Sequence, residues 1–126
     1  MVSRLAEQKG IDILLDVMEE IARLDLQLII LGTGASNYQE ALASFHGRSG
    51  KIGVKIGFDN ILAHRIEAGA DMFLMSSKYE PCGLNQIYSL KYGTIPIVRA
   101  TLFRPLSLAM WVHHATSTSL RSITLV

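Results

Sequence analysis

The densest set of chemically useful side chains is Ser77-Lys78-Tyr79-Glu80-Pro81-Cys82-Gly83-Leu84-Asn85-Gln86. Here an acid, a rigid proline and a glycine stand between an apolar run and the start of a helical pattern. The first N–H groups of a helix have no intrahelical acceptor and carry the positive end of its dipole. Amides around Gly83, Leu84 and Asn85 are therefore suited to cradle a pyrophosphate, and the Glu80 carboxylate is suited to take the hydroxyls of a sugar. Glu80 fits equally well as a helix-capping acid or a surface charge. A second candidate is Ser3-Arg4-Leu5-Ala6-Glu7-Gln8-Lys9-Gly10, with two cations five residues apart in a loop that feeds a helix. Arg4 and Lys9 can converge on one phosphate, although such pairs are also commonly solvated and inert.

Other motifs say less. Gly32-Thr33-Gly34 follows an apolar run and reads as a tight turn. The GxGxxG fingerprint is absent, because Asn37 stands where its third glycine would fall, and no GxxxxGK[ST] loop occurs, so classical dinucleotide binding is disfavoured. Cys82 at a helix start invites a nucleophile reading, but no partner base is spaced to serve it, and a packing or lining role is the plainer one. His113-His114 has no third ligand nearby, so no metal site is expected. Trp111 is read as packing.

The elements that must position these residues follow from periodicity. Ile11, Leu14, Leu15, Met18, Ile21 and Ala22 line one face of a helix preceded by Gly10. The run from Leu26 to Leu31 predicts a buried strand. A second helix is expected from Ser36 to about His46, capped by Ser36 or Asn37. After a polar turn from Gly47 to Lys51, Val54 to Ile56 reads as a strand, Asn60 to Ala68 as a helix and Asp71 to Met75 as a strand. Gly83 to Tyr92 then reads as a helix and Ile95 to Val98 as a strand. Such alternation predicts a mostly parallel α/β sheet with helices on both faces. Ligands then collect at the C-terminal strand ends: Arg4, Gly32 to Gly34, Gly57-Phe58, Ser76 to Gly83, and Arg99 to Thr101.

Composition bounds the function. The chain has 126 residues, 49% apolar and 18% charged, which is enough for one packed domain and argues against disorder. A net charge of +1 disfavours nucleic acid or an anionic membrane as a dominant partner. The single cysteine forbids an intrachain disulfide and fits a reducing compartment. The longest apolar runs fall short of a membrane span. No basic-then-apolar leader opens the chain, so export is not expected.

Taken in order, Ser-Arg-Leu-x-x-Gln-Lys-Gly at 3–10, His-Arg-Ile-x-x-Gly-Ala-Asp at 64–71 and the long run from Lys78 to Thr101 resemble bacterial glycogen synthase and plant starch synthase. The resemblance covers about residues 3–101. It implies part of the C-terminal, Rossmann-like half of a GT-B glycosyltransferase, which transfers glucose from ADP-glucose to an α-1,4-glucan with retention at the anomeric carbon. By that resemblance Arg4 and Lys9 bind the donor phosphates, and Phe58 stands where a tyrosine commonly stacks on adenine. Glu80 contacts the donor sugar, the Cys82 and Gly83 backbone touches the glucose, and the Leu84 and Asn85 amides hold the pyrophosphate. Tyr88 occupies the place of the second acid found in related retaining enzymes. Neither metal nor a further cofactor is implied. The partners implied are ADP-glucose, a glucan acceptor and an N-terminal domain that completes the cleft. The location implied is bacterial cytoplasm, with a plastid as the alternative.

After Thr101 the pattern departs from the family, reading Leu102-Phe103-Arg104-Pro105 where Gly-Gly-Leu is expected, and six Ser/Thr crowd the last eleven residues. Residues 1–101 are thus read as a partial nucleotide-sugar-binding domain, and 102–126 as a divergent tail, on one account frameshifted. The alternatives to an enzyme fragment are a non-catalytic ADP or nucleotide-sugar binding module and an inert truncated product.

Overall fold

The structure, a computed structural model, describes residues 1–80 and 83–99. Cys82, the tail 102–126 and the Trp111 and His113-His114 readings lie outside the described residues. Among the described residues there are five strands: β1 (Val2–Leu5), β2 (Leu28–Gly34), β3 (Ile52–Ile56), β4 (Met72–Met75) and β5 (Ile95–Val98). They alternate with four α-helices: α1 (Ile11–Ile21), α2 (Ser36–Ala43), α3 (Asn60–Gly69) and α4 (Leu84–Lys91). Every pairing is parallel, as expected for strands joined through helices.

The strands form two hydrogen-bonded sets, β1-β2-β3 and β4-β5. The chain builds outward from β1 to β3, then returns to begin β4. Connections between parallel strands are right-handed as a rule, which sets α1 and α2 on the face opposite α3 and α4 once the direction reverses. In keeping with this, α1 touches α2 and α3 touches α4. The reversal makes the ends of β1 and β4 the topological switch point, where ligands of open α/β sheets bind.

The core is the apolar stripe of α1 laid on the first sheet. Ile11, Leu14 and Met18 are buried together with Leu5, Leu28, Ile30, Leu42 and Ile52. Each fully buried aliphatic side chain contributes about 1.5–3 kcal/mol. Helix α3 begins where Asp59 accepts a hydrogen bond from the Leu62 amide at 2.9 Å, a normal N-cap.

Two local readings are corrected. Gly32 to Gly34 is not a turn but the end of β2, paired with Ser3 to Leu5. A Cβ at Gly32 or Gly34 would come within 2.1 Å of a β1 carbonyl, so close strand approach demands the glycines. Helix α2 takes Ala35 as its N-cap, with no side-chain cap from Ser36 or Asn37, because both already lie inside the helix.

Candidate functional site

The loop after β1 and the loop after β4 are joined by main-chain contacts. The Lys78 amide donates to the Gln8 carbonyl at 2.9 Å, and Ser76 Oγ donates to the Lys9 carbonyl at 2.9 Å. Such closeness requires Gly10, whose φ is +67° and where a Cβ would meet the Ser76 carbonyl oxygen at 2.1 Å. The Lys78 ammonium adds ion pairs to Asp12 at 2.6 Å and Glu7 at 3.1 Å. The hydrogen bond to Lys78 holds the Asp12 carboxyl below its ordinary pKa, and the same bond, followed by that to Glu7, raises the Lys78 ammonium.

This junction brings Lys9 against Glu80 across 71 residues of sequence. Lys9 Nζ lies 2.5 Å from Glu80 Oε2, and the two side chains are only 16% and 15% exposed. Ser77 Oγ donates to the same carboxylate oxygen at 3.1 Å. Of the two bland readings of Glu80, neither describes its place: it is mostly covered rather than a surface charge, and α4 is capped by Gly83 without a side-chain bond. With no side-chain cap, the first amides of α4 remain suited to an anion. Gly83 supplies the left-handed turn (φ +61°) that starts the helix, and Leu84 is half-exposed beside it.

A cleft of about 200 Å³ opens across β1 and β2, lined among others by Arg4, Thr33, Phe58, Asp59 and Asn85. Phe58 is 88% exposed, so its ring is available for stacking. Arg4 is exposed, its guanidinium 3.5 Å from Gln8 Oε1. Asn85 Nδ2 donates to the Val2 carbonyl at 3.5 Å and ties α4 to β1. The hydrogen bond from the Lys55 ammonium, followed by that from the Leu62 amide, holds the Asp59 carboxyl below its ordinary pKa.

The candidates therefore fall into two groups. Arg4, Phe58 and Asn85 share the cleft, whereas Lys9 and Glu80 form a separate ion pair. Among the described residues nothing joins Arg4 and Lys9 directly. Sequence reasoning missed Ser77, which grips the acid, and the bridging role of Lys78. Lys78 carries no spacing signal because its partners Glu7, Gln8 and Asp12 lie far back in the sequence. Ser77, in contrast, stands only three residues before Glu80 and could have been found as a local hydroxyl donor to that acid.

Two all-parallel strand sets interleaved with helices, with an uncapped helix start where the chain reverses between them, define a Rossmann-like ligand-binding unit. The family model for glycosyl transferases group 1 matches residues 1–113. The chain belongs to that family. It is 56% identical over 102 residues to a glycogen synthase of Desulfitobacterium hafniense, covering 80% of this chain and 22% of that protein. It is 52% identical over 102 residues to a glycogen synthase of Thermotoga maritima, covering 80% and 21%. Among solved structures, the catalytic domain of starch synthase IV from Arabidopsis thaliana, bound to ADP and acarbose, matches with a TM-score of 0.72 and 31% identity, covering 79% of this chain and 21% of that one. The chain thus spans about a fifth of the length of the relatives it matches, and the expected similarity to glycogen and starch synthases holds.

Proposed function

We propose that this chain carries the donor half-site of a retaining glucosyltransferase that moves glucose from ADP-glucose to the non-reducing end of an α-1,4-glucan. The observation that carries the reading is the Lys9–Glu80 pair, formed by the joined loops, with the uncapped start of α4 following Glu80 in sequence. In the reaction, the bond from the anomeric carbon to the diphosphate oxygen breaks, its electron pair leaving with ADP, as the acceptor 4-hydroxyl oxygen bonds to that carbon and passes its proton to the departing diphosphate oxygen. Arg4, Lys9 and the amides of Gly83, Leu84 and Asn85 stabilise the negative charge growing on ADP. Glu80 supports positive charge on the sugar, and Phe58 stacks on the base. Cys82 contributes backbone contact to the glucose. On this reading no cofactor is needed beyond the donor, residues 1–101 form the donor unit with 102–126 as a divergent tail, and the setting is bacterial cytoplasm, with a plastid as the alternative.

A second reading, a module that binds the nucleotide sugar without turning it over, is favoured by the cleft itself. Its volume of about 200 Å³ is below the ~300–1,000 Å³ of complete ligand pockets. Titration calorimetry with ADP tests both readings. Saturable binding is expected, weakened about tenfold by Arg4→Ala or Lys9→Ala, each of which deletes a charge-assisted contact. Absence of binding removes both. Transfer of radiolabelled glucose to glycogen is expected to stay at background for this chain alone under both readings, and turnover lost in Glu80→Ala would make the chain itself the enzyme and rule out the second.

A further inference from the structure

We infer that Ser77 is the positioning residue for Glu80, holding its carboxylate in place when Lys9 turns toward the donor diphosphate. The inference rests on the donor-site reading. Ser77 is buried at 6% exposure, and its hydroxyl donates to Glu80 Oε2 at 3.1 Å. Lys9 Nζ donates to the same oxygen at 2.5 Å. Among the described residues, no group donates to Oε1. A carboxylate offers about four acceptor positions, so two donors on one oxygen fix the group and leave the other oxygen to meet a sugar hydroxyl.

The two donors differ in what else attracts them. An ammonium on a flexible stem is drawn to a diphosphate as readily as to a carboxylate, whereas a neutral hydroxyl on a buried side chain is not. Binding of the nucleotide therefore weakens the Lys9 contact and leaves Ser77 as the tether. Its backbone is anchored on both sides, by Ser76 Oγ to the Lys9 carbonyl and by the Lys78 amide to the Gln8 carbonyl. Loss of the Ser77 hydroxyl is thus expected to act on recognition of the sugar and not on recognition of the nucleotide.

The test is calorimetric titration of the 126-residue chain, wild type, Ser77→Ala and Ser77→Thr, with ADP and separately with ADP-glucose. Expected for Ser77→Ala is an ADP affinity within about twofold of wild type and an ADP-glucose affinity weaker by about tenfold, the worth of one hydrogen bond to a charged group. Ser77→Thr, which keeps the hydroxyl, is expected to recover most of that loss. If Ser77→Ala weakens both ligands equally, or neither, the role is overturned while the donor site stands. A wild-type chain that binds neither ligand overturns the donor-site reading and this role with it.

Discussion

Lys9 and Glu80 illustrate the cost that governs single residues in this site. Each gives up most of its hydration, and a covered ion pair is tolerated only when its geometry is close and further hydrogen bonds satisfy it. The 2.5 Å contact and the Ser77 hydroxyl meet that condition. Removing one partner would leave a covered charge alone, so loss of Lys9 costs stability as well as phosphate contact. A different balance holds at Glu67, buried at 5% exposure on α3. Desolvation raises its carboxyl above the ordinary 4.5, opposed by the charges of His64 at 4.0 Å and of the chain's amino terminus. His64 is in turn engaged by the Tyr92 hydroxyl at 3.1 Å. Because the folded state holds this proton more tightly than the unfolded one, its contribution is full below about pH 4.5 and falls as pH rises through the raised value. Between pH 4 and 8 this decline runs against the amino terminus, whose pKa burial lowers from 8.0 to about 5 and whose contribution therefore rises with pH. Urea midpoints of wild type and Glu67→Gln should therefore be compared, and the variant should lose the declining component. An unchanged slope in the variant would assign the pH dependence elsewhere.

At the level of elements, two loops act as one. Each strand end supplies a short connection, and the bonds from Lys78 to Gln8 and from Ser76 to Lys9 make the β1–α1 and β4–α4 connections a single surface. Gly10 is the hinge of this arrangement, since it needs both a left-handed backbone and room for the Ser76 carbonyl. Gly10→Ala should therefore destabilise the fold by about 2 kcal/mol or more, combining left-handed strain with a backbone clash. Chemical denaturation would measure it, and a loss under about 0.5 kcal/mol would mean that the two loops are free to separate. The same reasoning explains why Lys78 carries two ion pairs, to Glu7 and Asp12, although it stands outside the cleft. Its charges reinforce the seam that sets Lys9 against Glu80.

For the whole molecule, a ligand that binds only the folded state stabilises it by mass action, about 2.7 kcal/mol at a hundredfold excess over Kd. ADP should therefore raise the thermal midpoint of wild type with the logarithm of its concentration once above Kd, while Lys9→Ala, titrated alongside, should show a smaller rise at every concentration. Equal rises would place the nucleotide away from the ion pair. The order of strands and helices was legible in the residues themselves. Apolar spacings of three and four in Ile11, Leu14 and Met18, and the short run ending at Leu31, encode local geometry that each segment carries with it. The residues of the site were legible because a helix start after a strand always presents free amides, and the motifs around Arg4, Lys9 and Glu80 follow one another in a recognisable order. Only the tertiary structure decided that Lys9 and Glu80 pair with each other, that Ser77 holds the acid, and that Gly32 to Gly34 continue a strand. The Lys9–Glu80 pair and the β1–β2 register depend on contacts between segments distant in sequence, the first fixed when the chain reverses direction and brings the ends of β1 and β4 together. The Ser77 contact is local but depends on the loop conformation that this junction imposes. Local spacing contains no record of that reversal.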